Sequence, residues 1–235
     1  MSLMFVGCNN DSEGTSKNTD DNTEVVVNTE SKDSISAYVG TNIFEGSLDP
    51  IKGAMSYGYS FTNCALTRVN SESEYEGDLA TDWQISDDSL VYTFNLREGV
   101  KFHDGSDFTA EDVVFTYETV KENQGNNENV DLSRLESVTA LNDYTVEFKL
   151  SESYSPFFDS VALLGIVPSD AYDSETFDKY PIGTGAWKVI QYDTDQQIIV
   201  QANEEYYEGV PEIKQVTFVK MDNEAAFSNA KSGQL

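Results

Sequence analysis

The sequence predicts a mixed, strand-rich α/β fold, and three observations carry that expectation. Several strand-length segments alternate apolar with polar residues and are joined in pairs by short turns rich in Asp and Asn. One clearly marked amphipathic helix interrupts them, beginning near Ala110. The 13 phenylalanines and 13 tyrosines among 235 residues supply the bulky side chains that pleated surfaces pack well. A chain of this length suits one large or two small domains and buries a sizeable core.

Taken in order, the segment from Asn9 to Asp33 is polar, holds no aromatic residue and carries two bases against seven acids. It buries too little apolar surface to offset chain entropy, so it is expected to be a flexible tether with a reach of roughly 25–30 Å. The globular part is expected to begin near Ser34 with a strand, "SISAYVG", followed by a turn, "EGSLDP", closed by Pro50. "WQISDDSLVYTFNLREGVKF" reads as a hairpin in which Leu90, Tyr92, Phe94 and Leu96 share a face, with its turn at Asp87-Asp88-Ser89 and a further reversal at Glu98-Gly99. "ESVTALNDYTVEFKL" reads as a second hairpin turning at Asn142-Asp143, and "AWKVIQYDTDQQIIVQA" as a third turning at Asp193-Thr194-Asp195. A last strand, "EIKQVTFVKM", precedes a short helix, "DNEAAFSNAKSG", capped by Asp222 and stopped at Gly233.

The one histidine, His103, stands among Asp104, Asp107, Glu111 and Asp112 in "KFHDGSDFTAEDVVFTYETV", where a metal site or an acid/base pair has to be considered. Each acid already has a structural task. Thr109 with Asp112 three residues later has the form of a capping box, with Asp in place of Glu. Ala110, Val113, Val114, Tyr117 and Val120 make one apolar stripe, and Glu111 and Asp112 lie where the helix dipole favours negative charge. Asp104-Gly105 is a tight-turn pair. With no second histidine to share an ion, the stretch reads as a turn and a capped helix, and no enzyme, cofactor or metal is expected.

The formal charge is −28, from 42 acids against 14 bases. Such a surface repels phosphate backbones and excludes nucleic-acid binding. No apolar run is long enough to span a membrane. Cys64, in "FTNCALTRV", is expected to be a buried and inert thiol. Cys8 follows a hydrophobic scrap and a glycine and precedes the tether, a pattern that resembles the end of a bacterial lipoprotein signal whose leader is truncated; a chance match is the alternative.

"SLDP", "GDLATDWQISDDSLVYTFNLREGVKFHDGSDFTAEDVVFTY", "YPIGTGAWKV" and "ANEEYYEGVPEIKQVTF" follow one another in the order and spacing of the bacterial extracellular solute-binding proteins of family 5, which the chain resembles from Ser34 to Leu235. The long central motif is specific; "SLDP" alone is not. The resemblance implies lobe one, with its inserted subdomain, of a class II periplasmic-binding-protein-like fold, over about the first half of a family member. By position, residues 1–33 are a signal remnant and tether, 34–56 and 179–235 belong to lobe one, and 57–178 are the inserted subdomain, with lobe two absent. It also implies an extracytoplasmic protein, lipid-anchored at Cys8 to the bacterial membrane or periplasmic, that delivers peptides or another small solute to an ABC importer permease. A non-transport interaction or sensing module with the same fold is the alternative.

The ligand strip that the resemblance implies is Gly53, Ala54 and Met55, with Tyr57 beside it; the same four residues also read as a lead into a helix. Exposed backbone suits peptides because main-chain hydrogen bonding ignores side-chain identity. Thr184 and Gly185 of "GTG" complete the implied site. This loop lacks the lysine and spacing of a phosphate cradle, and its glycines suit close backbone approach. The sequence departs from the family at Ala186, where many members carry proline, and at Trp187, a common Tyr or Phe position that reads as core.

Overall fold

The computed structural model describes residues 33–39, 46–54, 60–123, 127 and 129–232. Cys8, the tether as far as Lys32, Met55, Tyr57 and Gly233 lie outside the described residues. The elements are β1 (Ser34–Val39), a 3-10 turn (Pro50–Lys52), β2 (Thr67–Val69), β3 (Tyr75–Gly77), β4 (Ala80–Ile85), β5 (Val91–Leu96), α1 (Ala110–Glu122), β6 (Leu135–Asn142), β7 (Thr145–Leu150), α2 (Phe157–Leu163), β8 (Trp187–Asp193), β9 (Gln197–Ala202), β10 (Gln215–Lys220) and α3 (Asn223–Ser232).

The larger sheet runs β4-β5-β7-β6, antiparallel throughout. Its period-two pattern decides which face is buried. Tyr92, Phe94 and Leu96 on β5 and Val146, Phe148 and Leu150 on β7 turn inward. Helix α1 covers that face through Val113, Tyr117 and Val120, and Phe148 meets Phe94 and Tyr117 edge-on at 5.5 and 4.7 Å. Each of these large side chains contributes about 1.5–3 kcal/mol by leaving water. The chain runs from β5 through α1 and β6 before β7 inserts between β5 and β6.

The second sheet runs β1-β10-β9-β8. The β8–β9 hairpin turns through Asp195, which has a left-handed φ of 63°. β10 lies antiparallel to β9, while β1 joins β10 in parallel, Ser34 opposite Gln215 and Val39 opposite Lys220. This sheet has its own smaller core of Ala37, Leu48, Tyr192, Ile198, Val200 and Val216, against which Phe61, Trp187 and Phe218 pack.

The expected strands, the α1 stripe and the Asp222 cap are present; Asp222 accepts the Ala225 amide at 2.7 Å. The β6–β7 loop is Asp143-Tyr144 rather than Asn142-Asp143, because Asn142 pairs with Thr145 and its side chain accepts the Tyr144 amide at 2.9 Å. The short β2–β3 hairpin and α2 had no counterpart in the sequence reading.

Candidate ligand-binding site

The "SLDP" motif builds a tight, buried turn. Asp49 is fully buried and caps the 3-10 turn: one carboxylate oxygen accepts the Ile51 amide at 3.0 Å, and the other accepts the Tyr172 hydroxyl at 2.8 Å. Burial pushes the Asp49 carboxyl above its ordinary range, opposed by these two bonds and by Lys52, whose Nζ lies 3.8 Å away. Pro50 at the first position has its φ pre-set for the turn. The Lys52 and Ala54 amides donate to the Asp49 carbonyl, and the Gly53 amide to the Pro50 carbonyl, all at 3.1 Å. Gly53 has φ +81°, a conformation that side chains disfavour.

The turn is fastened from outside as well. Asn127 Nδ2 donates to the Pro50 carbonyl at 3.0 Å, and Asn129 Nδ2 to the Gly53 carbonyl at 2.9 Å. Lys52 donates to Asp178 at 2.8 Å, and the Ser47 hydroxyl to the same carboxylate at 2.5 Å. Lys52 and Ser47 together hold the Asp178 carboxyl below its usual range against the desolvation that raises it. The amide and carbonyl of Gly53 and the amide of Ala54 are therefore engaged within the protein, and Ala54 itself is half-buried.

Thr184 and Gly185 sit in a second backbone knot. Gly185 donates to the Thr62 carbonyl at 2.8 Å, and its own carbonyl accepts from His103 Nε2 at 3.0 Å and Asn203 Nδ2 at 3.1 Å. A Cβ on Gly183 would lie 2.1 Å from the Thr62 carbonyl, and one on Gly185 would lie 2.6 Å from that of Phe61. The close backbone approach expected of these glycines is what the loop shows. Thr184 is fully buried, its hydroxyl without a hydrogen-bond partner among the described residues. Cys64 is a free, buried thiol that desolvation pushes up to about 12, so it stays protonated.

Gly165 links the two knots: a Cβ there would meet Asn63 Cβ at 2.8 Å and Pro50 Cβ at 3.5 Å. Asn63 Nδ2 donates to the Ile166 and Ile182 carbonyls at 3.0 and 3.2 Å. The buried Asn63, together with Tyr172, Asn127 and Asn129, escaped the sequence reading. An asparagine beside Cys64 in an apolar stretch was the one available signal.

The "NEEYYEGVP" motif forms a clasp to the larger core. The Tyr207 hydroxyl donates to Asp78, and Arg68 reaches Glu208 at 2.7 Å and Glu76 at 2.6 Å. Arg97 lies over the Tyr207 ring, 5.0 Å from its centroid. Burial is the main cause that raises both the Asp78 carboxyl and the Tyr207 phenol, and the Glu208 bond holds the Arg68 guanidinium firmly charged.

Both ring nitrogens of His103 are spent on backbone: Nε2 on the Gly185 carbonyl, and Nδ1 on the Gly183 amide at 3.3 Å. Desolvation lowers the imidazole to about 4, and Lys188 pushes the same way against the Gly185 bond and Asp104. Among the described residues no group of three His, Cys, Asp or Glu side chains is placed to hold a metal ion. No helix among them is long and apolar enough to cross a membrane.

The chain is similar to the oligopeptide-binding protein AppA of Bacillus subtilis, with 35% identity over 190 residues that cover 75% of this chain and 34% of that protein. It is 34% identical to heme-binding protein A of Haemophilus influenzae over 164 residues, 58% of this chain and 30% of the relative. Among solved structures, NikZ of Campylobacter jejuni in complex with Ni(L-His) superposes with a TM-score of 0.79 at 28% identity, over 87% of this chain and 42% of that one. AppA in complex with a nonapeptide gives 0.74 at 26% identity, over 88% and 44%. The chain thus spans about a third to under a half of the length of these relatives. The sequence profile described as bacterial extracellular solute-binding proteins, family 5 (middle region), matches residues 74–235, and the chain belongs to that family.

Proposed function

We propose that this chain is part of an extracytoplasmic substrate-binding lipoprotein that captures peptides, or a related small solute, and delivers them to an ABC importer permease. The observation that carries the reading is the family membership, with 35% identity to an oligopeptide-binding relative. The buried turn at Asp49 fits this reading: it fixes Gly53 and Ala54 through bonds within the protein and brings no reactive side chain there. In this reading Gly53, Ala54, Met55 and Tyr57 form the contact strip. Thr184 and Gly185 complete the proposed site as a buried support tied to the Asp49 turn through Asn63 and Gly165, since Thr184 is buried and the Gly185 carbonyl is committed to His103 and Asn203. Residues 34–56 and 179–235 form lobe one and 57–178 its inserted subdomain; the separate sheets and cores support that division. Cys8 is the site of the lipid anchor.

Relatives with haem or nickel in their names share the fold, so ligand identity is the point to test. The protein isolated from its source membrane and sprayed under native conditions is expected to carry a spread of peptide masses. A single haem or nickel-chelate mass would overturn the peptide reading. The Cys8→Ser protein is expected in the soluble fraction, and its retention in the detergent phase would remove the anchor.

A further inference from the structure

His103 is the one titratable group in the chain bound through both ring nitrogens to a single loop. A carbonyl only accepts, so the 3.0 Å contact with the Gly185 carbonyl requires the hydrogen on Nε2. Nδ1 is then bare and accepts the Gly183 amide at 3.3 Å. The main chain of His103 repeats the link: its amide donates to the Gly183 carbonyl at 2.8 Å, and its carbonyl accepts from Lys188 Nζ at 3.2 Å. On its other side the Gly183–Gly185 loop lies against Phe61, Thr62 and Asn63, where a Cβ would collide. The loop is therefore clamped between a neutral backbone wall on one side and, on the other, the imidazole and amide of His103, with Asn203 Nδ2 sharing the Gly185 carbonyl.

We propose that His103 is an acid-released bolt, a neutral imidazole that pins the Gly183–Gly185 loop to the α1-bearing part of the fold and frees it on protonation. A second proton would have to sit on Nδ1. It would point a donor at the donating Gly183 amide and place a positive charge near Lys188; desolvation and Lys188 together outweigh the Gly185 bond, Asp104 and the Pro181 carbonyl, which favour the charged ring. The charged groups facing the ring are Lys188 from β8 and Asp104 from its own turn; Ser60, Phe61, Thr62 and Asn63 behind the loop bring none. Lowering of the folded imidazole below its ordinary 6.5 means that the freed form takes the proton first. The bolt therefore holds above about pH 6.5 and is withdrawn as pH falls from there towards 4. Because this loop packs on Asn63, which Gly165 joins to Pro50, the support of the Asp49 turn would loosen in acid. The proposal itself rests on the backbone geometry and not on the ligand reading.

A single histidine makes the test unambiguous. In the 235-residue chain, nitrogen-15 NMR is expected to show the Nε2–H tautomer and a midpoint well below 6.5. Amide exchange at Gly183 and Gly185, corrected for intrinsic rates, is expected to rise on the order of tenfold between pH 6.5 and 4.5 while β5 and β7 stay protected. His103→Gln cannot titrate, and the same loop amides should show no acid step. An Nδ1–H tautomer, a midpoint near 6.5, or an equal acid response in His103→Gln would each overturn the bolt. The tautomer and midpoint are read from the unaltered chain, so they decide the matter even where the variant does not fold.

Discussion

Tyr117 sits at the centre of the larger core, edge-on to Phe148, with its hydroxyl sealed away from any hydrogen-bond partner among the described residues. Burial alone drives its phenol far up, which marks the site as apolar on every side. An unmet hydroxyl in such a place costs about 1–3 kcal/mol of desolvation. Tyr117→Phe keeps the ring and removes the cost. It is expected to stabilise the protein by about 1 kcal/mol, raising the melting temperature by roughly 2–4 °C, as differential scanning calorimetry would read. A drop in melting temperature would mean that the hydroxyl is satisfied in solution. The helical spacing identified Tyr117 as a core residue, but nothing local showed that its oxygen would find no partner. Asp49 is the same case in reverse: its place in "SLDP" was legible, whereas its bond to Tyr172 crosses 123 residues of sequence.

Helix α1 shows how an element was read correctly for an incomplete reason. The Thr109–Asp112 capping box is there, with Asp112 Oδ2 accepting the Thr109 amide at 2.9 Å and its hydroxyl at 3.3 Å. The other carboxylate oxygen accepts the amide and hydroxyl of Ser169 at 2.8 and 2.9 Å, so Asp112 also pins a loop far along the chain. Four donors converge on one buried carboxylate, and its removal strands them together. Asp112→Ala is expected to cost about 2–4 kcal/mol, against about 0.5–1 kcal/mol for Thr109→Ala, in urea unfolding. Equal losses would show that the cap, and not the Ser169 tie, is what matters. The hairpins β4–β5, β6–β7 and β8–β9 were legible because alternation and turn residues are local signals. β2 and β3 are three residues each and α2 seven, too short for a period to emerge. Which strands neighbour which was not legible, since β1 meets β10 through pairing that no local pattern records.

Across the whole molecule, a net charge of −28 is spread over two cores with little basic counterweight. Self-repulsion of that size opposes the compact state, and salt screens it over about 10 Å at 0.1 M. Raising sodium chloride from about 10 to about 150 mM is therefore expected to lift the melting temperature by roughly 2–5 °C, as followed by intrinsic fluorescence. A flat or falling trace would show that local ion pairs such as Arg68–Glu208 outweigh the global repulsion. The clasp, the two backbone knots and the paired cores were beyond the sequence because each joins residues that only the completed topology brings together. That topology also sets a timetable. The β4-β5-β7-β6 sheet has all its strands by Leu150, while β1 has no partner until Gln215–Lys220 exists. At a synthesis rate of about 5–20 residues per second, the nascent chain carries "SISAYV" unpaired for roughly ten seconds or more after it is made. The earliest of the described strands on the ribosome is thus the last of them to be seated, and until then the emerging chain exposes a solitary β-forming hexapeptide.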